Sequence, residues 1–440
     1  MSRLPHPPLY KTKHRHSWAL STLAVGLMFL MWAGEARAAG FLVYDVSAES
    51  LGKGSAVTAS VDEPAAVFFN PSALAYMEGA QFSGGTVFVT ATNSFKPASG
   101  GPKVAAETGH FFLPTLYSTA RINDWFAVGL GVYTVFGLGI EWPGDWIGRE
   151  NSISANIETV TFSPTFAFKT CKWFSVAAGV NVVRATVEMV NGLPEAIGGT
   201  VRIGGGTFGA GAHLGLLARV VPNVFHLGAS YHSRVKLSFD GRADFEPVHE
   251  EFGYDLKDQA GRAVITLPDI FSFGVMYRPT KALTFTLDTN LVLWSTYDEL
   301  RLDFEEREDQ VMPRNWNDVI TVRFGLDWAT PAKGLRARFG FIFDQNPSPK
   351  DTLSPSLPDS SRVDFAVGVG YSWKWLDVDL GYMLVYFLPI DATGGVESPE
   401  GTYEAVAHLT ALTLTARFGP RTLLPRSHRK KERKNAPKDP

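Results

Sequence analysis

The sequence predicts an all-β protein: a 14-stranded antiparallel transmembrane β-barrel whose lumen is plugged by a small helical N-terminal hatch. Three observations carry this prediction. Alternating apolar and polar segments of about 10–15 residues recur from residue 81 onward, rich in Phe, Val, Thr, Leu and Tyr. The connections between them alternate short and long, as in outer-membrane barrels. Past the N-terminus no apolar run reaches the roughly 18 residues of a spanning helix, which excludes a helix bundle.

Composition agrees with this reading. The 440 residues include 42 Gly, 31 Phe, 13 Tyr and 11 Trp, a bias toward β-structure. Charged residues make up 19% with a net charge of −3, which fits neither a disordered chain nor a basic nucleic-acid binder. The single Cys171 rules out a disulfide framework and a cysteine-built metal site.

Residues 1–38 form an export signal. Lys11, Lys13, His14 and Arg15 give a positive start, Trp18 to Trp32 is apolar, and Ala36-Arg37-Ala38 places small residues at a cleavage site after Ala38. The apolar run is too short for the ~20 residues of a membrane anchor. Residues 39–80 contain Leu51-Gly52-Lys53-Gly54, Asp62 to Ala66 and Asn70-Pro71-Ser72. They read as short broken helices, too small for their own core, and are placed inside the barrel as a plug.

The barrel spans 81–418. Strands are expected near 81–92, 109–122, 125–137, 156–170, 173–190, 206–220 and 224–240. The second half repeats the pattern near 263–278, 281–297, 316–329, 334–345, 361–373, 375–388 and 403–418. Short turns such as Asn123-Asp124, Cys171-Lys172 and Pro222-Asn223 alternate with long loops such as 138–155, 241–262 and 346–360. Thr284 to Asp288 and Thr410 to Phe418 each have one apolar and one polar face. That face points inward in a soluble barrel and to lipid in a membrane one, and alternation alone leaves both open. The export signal, strand length and aromatic excess favour the membrane barrel. Residues 419–440 form a basic disordered tail. The leader carries five basic and one acidic residue, the tail eight and two, and the body between them 28 and 41, a net of −13.

Several stretches together resemble the FadL/TodX family of outer-membrane transporters for long-chain fatty acids and other hydrophobic compounds. Ala39-Gly40-Phe41, Leu51-Gly52 and Asn70-Pro71-Ser72 are similar to the family's hatch, although the family more often has Ala after Asn-Pro. Val135 to Trp142 resembles its third strand. Tyr231 to Lys236, Leu267-Pro268, Trp294-Ser295, Asn315-Trp316, Asp344 with Pro347 and Pro349, and Leu357-Pro358-Asp359 with Arg362 resemble later signatures. The likeness covers nearly all of 39–418, and the order of the motifs is what makes it specific.

The resemblance implies a cell outer membrane protein, not an enzyme, with no cofactor and no metal. It implies passive transport: loop capture of a hydrophobic small molecule, an internal pocket, and lateral exit through the barrel wall. Phe41, Asn70 and Pro71 would be hatch residues at the site. Phe136, Gly137, Leu138 and Gly139 would kink the third strand and open the wall, since glycine within a strand marks bends. Gly129 and Gly131 share that strand, and any of its glycines could simply relieve crowding. Family members that carry fatty acids hold the carboxylate with two cations. At the matching stretches this chain has Asn191 and Met312, leaving Arg184 and Arg314 as head-group candidates.

That departure keeps neutral aromatic or aliphatic hydrocarbons open as substrates beside long-chain fatty acids. A general diffusion porin is the other alternative, disfavoured by the plug. Membrane lipid and lipopolysaccharide are the expected surroundings, with no nucleic acid partner and a monomeric state. His213, His226 and His232 lack metal-ligand spacing and read as ordinary barrel residues. His110, His249 and His408 fall in or near loops beside common Ser and Asp residues, too weak a pattern for a catalytic triad.

Overall fold

The computed structural model describes residues 40–246, 257–305, 308–394 and 398–419. The leader with its cleavage site, the tail from residue 420 and His249 lie outside the described residues.

Fourteen antiparallel strands, several of them broken into two segments, close on themselves. In order they are β1 (Ala80–Pro97), β2 (Gly109–Arg121), β3 (Phe126–Tyr133 and Gly137–Glu141), β4 (Ser154–Lys169), β5 (Phe174–Gly192) and β6 (Thr200–Val221). Then come β7 (Phe225–His232 and Val235–Glu246), β8 (Gln259–Leu267 and Ile270–Tyr277) and β9 (Leu283–Val292 and Glu299–Phe304). The last are β10 (Gln310–Pro313 and Val319–Ala329), β11 (Leu335–Asp344), β12 (Arg362–Ser372), β13 (Leu376–Phe387 and Ile390–Ala392) and β14 (Gly401–Phe418). Pairing of Ala80 with Phe418 through Pro97 with Gly401 joins β1 to β14 and closes the barrel, which leaves no sheet edge to solvate.

The ambiguity left by alternation is resolved here. On β14, Leu412 and Leu414 point outward and are about half exposed, whereas Thr413 and Thr415 are buried inside. On β9, Leu287 faces out and Thr284, Thr286 and Asp288 face in. Apolar outside and polar inside is the arrangement of a bilayer-spanning barrel. Trp125, Trp173, Trp373 and Trp375 stand exposed beside the short turns, where aromatic rings mark a membrane interface.

Residues 40–79 fill the lumen with two single-turn helices, α1 (Ala48–Leu51) and α2 (Ala66–Phe69), followed by a 3₁₀ segment, Pro71–Tyr76. So little regular structure leaves many backbone groups without partners, and buried groups of that kind must be satisfied. The inward polar side chains of the wall do this. Ser230 and Ser175 donate to the carbonyls of Phe69 and Ser72 at 2.8 and 2.9 Å. Asp288 accepts from the Thr58 amide at 2.7 Å, and Thr413 accepts from Ala48 at 2.9 Å. At Gly340 the hatch lies directly on the wall: a Cβ there would stand 2.0 Å from the Gly54 amide nitrogen.

The hatch is also held by charge. Arg338 on β11 is almost fully buried and reaches Asp379 at 2.6 Å, Asp327 at 3.4 Å and Glu49 of α1 at 3.5 Å. Lys53 pairs with the same Glu49 at 2.9 Å. Burial alone would raise the Glu49 carboxyl, but the charges of Lys53 and Arg338 outweigh it and hold it well below the usual range.

Candidate functional site

The third strand does not run straight. Its lower segment pairs with β2 from Arg121–Ala127 up to Leu116–Val132. At Thr134 to Phe136 the chain turns inward, and the upper segment, Gly137–Glu141, pairs with β4 but not with β2. Above Leu116, β2 continues to Gly109 paired only with β1. The wall is therefore open between β2 and β3, bounded below by the Leu116–Val132 pair and above by the Glu107 amide donating to Glu141 at 2.7 Å.

A bend of this kind exposes backbone groups, and the hatch satisfies them. Val43 donates to the Val135 carbonyl at 2.8 Å, and Gly137 donates to the Phe41 carbonyl at 3.2 Å. The Thr159 hydroxyl donates to the Phe136 carbonyl at 2.6 Å, and that of Thr134 to the Thr159 carbonyl at 2.7 Å. Phe41 is clamped by rings: Trp294 at 5.0 Å, Phe136 at 5.8 Å, Trp316 at 6.2 Å and Tyr297 at 6.5 Å between centroids. Gly40 is required at the edge of this cage. Its φ is +67°, and a Cβ would come within 2.7 Å of Trp316.

A cavity of about 450 Å³ lies against the opening. Its lining includes Phe41, Leu42 and Leu409 from the interior, and also Phe112 and Val160, whose side chains face the outside of the barrel. The cavity thus runs from the hatch through the wall. One side of it is polar, with Asp45, Asp359, Arg362 and Asp364. The Gly40 amide donates to Asp359 at 2.7 Å, and burial pushes that loop carboxyl up to about 7. A second, smaller pocket of about 40 Å³ is lined by Phe41, Ile157, Met189, Ile265 and Leu300, with Arg314, Thr352 and Ser354 at its polar side.

The candidate residues separate on this framework. Phe41, Phe136, Gly137 and Gly139 surround the opening and its cavity, and the backbone of Leu138 pairs with Ile157 of β4. Gly129 and Gly131 serve packing: a Cβ at either would collide with Leu74 and Val67, or with Tyr133 and Tyr117. Asn70 caps the 3₁₀ segment and donates to the carbonyls of Thr58 and Leu216 at 2.7 and 2.9 Å. With Pro71 against Gly215, this fastens the hatch to β6.

Arg314 is buried and lines the smaller pocket. Arg184 does not join it. Alternation on β5 buries Val183 and Ala185 and turns Arg184 outward over the exposed ring of Phe208, 5.9 Å away. The pair of cationic candidates is therefore not assembled, because period-2 geometry sends position 184 to the outer face.

His213 on β6 and His232 on β7 are cross-strand partners, buried with ring centroids 5.6 Å apart. His110 and His408 stand on the outer face, bonded to Thr90 and Tyr382. The residues that sequence reasoning missed are Phe111, Asp45, Asp364 and Arg338. For the last two the signal was a charge that shares its alternation phase with another charge on the same strand, Asp364 with Arg362 and Arg338 with Arg336.

Glu63 supplies a pH prediction. It lies buried beside Glu49 and accepts from the Ser47 hydroxyl at 2.5 Å. Burial, then the charge of Glu49, pushes its carboxyl up to about 8. An acid whose folded value lies above its unfolded one keeps its proton on folding. Its stabilisation is full below the ordinary value near 4.5 and is lost as pH rises toward 8. The thermal midpoint in detergent is expected to fall between pH 5 and pH 8, with a shallower fall in Glu63→Gln. Asp359 titrates in the same direction, so some slope persists. A midpoint independent of pH in the unsubstituted protein would contradict this.

A barrel of 14 strands with its lumen filled by the hatch defines the class of outer-membrane transport barrels. The family model described as outer membrane protein transport protein (OMPP1/FadL/TodX) matches residues 29–418, and the chain belongs to that family. It is an outer membrane protein. Outer membrane protein P1 of Haemophilus influenzae is 25% identical over 88% of this chain and 97% of its own length. The long-chain fatty acid transport protein of Escherichia coli K12 is 22% identical over 82% and 91%. Among solved structures, a Pseudomonas aeruginosa FadL homologue superposes with a TM-score of 0.77 at 19% identity, covering 87% of this chain and all of its own. The Pseudomonas putida toluene transporter TodX superposes at 0.69 with 16% identity, covering 88% and all of its own.

Proposed function

We propose that the protein carries hydrophobic compounds passively, with long-chain fatty acids as the leading substrate class, by capture among the long loops, storage in the cavity and lateral exit between β2 and β3. The observation that carries this reading is the cavity that begins at Phe41 and ends outside the wall. An apolar solute gains about 0.8 kcal/mol for each methylene it buries, so such a groove suffices for capture. The chemistry asked of the protein is transfer, not catalysis. In this reading the leader 1–38 is removed, residues 39–80 are the plug, residues 81–418 are the barrel, and the monomer sits among lipid and lipopolysaccharide.

Arg314, at the polar side of an otherwise apolar pocket, favours an acid head group. A second reading, neutral aromatic or aliphatic hydrocarbons, is favoured by the polar side of the larger cavity, where Asp45, Asp359 and Asp364 outnumber the single guanidinium of Arg362 and leave no spare cation for a fatty-acid anion. Mass spectrometry of lipids retained by the barrel in mild detergent, with labelled oleate as competitor, separates the two. Retained acid that is lost in Arg314→Gln supports fatty-acid transport. A neutral hydrophobe retained in both forms supports hydrocarbon uptake. Retention of neither, with large steady conductance in a planar bilayer, means a general diffusion porin.

A further inference from the structure

The opening between β2 and β3 is not empty: the ring of Phe111 stands in it. Phe111 belongs to the inward set of β2 that includes Thr115 and Tyr117, yet it is only half-buried, while its neighbour Phe112 is exposed outside. Its ring lies on two glycines that face each other across the gap. A Cβ at Gly139 would stand 2.3 Å from the ring, and one at Gly109 would stand 2.6 Å from it. The ring can lie flat there only because both positions lack a side chain. It also lines the large cavity, whose lining takes in both interior residues such as Leu42 and outward-facing ones such as Phe112.

We infer that Phe111 is the movable leaf of the wall opening and the residue that sets the girth of what leaves. This rests on the lateral-exit reading proposed above. No ladder bond joins β2 to β3 at this level, and the ring is held by packing alone, so turning about its two side-chain torsions clears the gap without breaking a strand pair. The opposite jamb is rigid by contrast: Gly137–Glu141 is paired residue by residue with β4, and Gly137 is tied to Phe41. With the leaf in place the opening suits slender molecules, such as an unbranched acyl chain or a single aromatic ring, over fused-ring compounds.

The test is uptake of two labelled probes, oleate and a pyrene-bearing fatty acid, by cells lacking their own transporter and expressing the full-length protein. Phe111→Ala is expected to raise the ratio of pyrene-probe to oleate uptake about tenfold, and Phe111→Trp to lower uptake of both. Gly137→Trp, a plug at a position where a Cβ would meet only the Ile157 carbonyl at 3.8 Å, serves as the control for the route. If Gly137→Trp stops uptake but Phe111→Ala leaves the probe ratio unchanged, the leaf assignment is overturned and the route stands. If Gly137→Trp leaves uptake intact in a correctly folded barrel, the lateral route itself fails.

Discussion

Replacing Arg338 with methionine is expected to release the hatch from the wall. The guanidinium joins three carboxylates, Glu49 of α1, Asp327 of β10 and Asp379 of β13, in a site almost closed to water. Glu49 would keep Lys53 and Asp327 would keep Arg336, whose guanidinium lies 2.6 Å away, but Asp379 would lose the cation that neutralises it. Removing one partner from a buried ion network costs about 3–5 kcal/mol, because the charge left behind cannot recover its hydration. Methionine keeps much of the volume, so the loss is electrostatic rather than steric. The barrel ladder closes without the hatch, so the expected outcome is faster hydrogen exchange at Ser50 to Gly54, with strand amides still protected. Unchanged protection of α1 would show that the network contributes nothing to seating.

Phe41→Ala is the second large effect. The ring fills the space between Trp294, Trp316, Tyr297 and Phe136, and its loss leaves a cavity that four rigid side chains cannot collapse around. Truncating a buried phenylalanine costs about 3–5 kcal/mol. The cost falls on the segment that staples the bent strand, so the amides of Val43 and Gly137, which bond to Val135 and Phe41, should exchange about 100-fold faster. Protection equal to that of the unsubstituted chain would mean that the kink holds itself.

The barrel was legible because its rules are local. Each strand needs only alternation and a turn, and the closing pair Ala80–Phe418 follows from an even strand count. The breaks within strands were less legible. The third strand reads as continuous through 125–137, but Thr134 to Phe136 leave the ladder, and Val135 and Gly137 bond with Val43 and Phe41 of the hatch, contacts across more than 90 residues that no local pattern encodes. The ninth strand likewise breaks after Val292, where Trp294 turns into the aromatic cage, and resumes at Glu299.

The site was legible in part for the same reason. Resemblance pointed to Gly137 and Gly139, and the structure puts them at the opening. Arg184 was misplaced because one step of register decides which face a strand residue occupies. Phe111 carried no signal, since an aromatic residue in a barrel strand is ordinary. Only its position across from Gly139 distinguishes it.

The central claim is that a hydrophobic molecule leaves through the wall. Cross-linking with a diazirine-bearing long-chain fatty acid, followed by peptide mapping, tests it most directly. The account predicts adducts at Phe112, Val160 and the cavity residues beside the opening. Adducts concentrated instead around Lys53, Arg278 and Arg336, with the opening unlabelled, would show a path past the hatch along the lumen and contradict it.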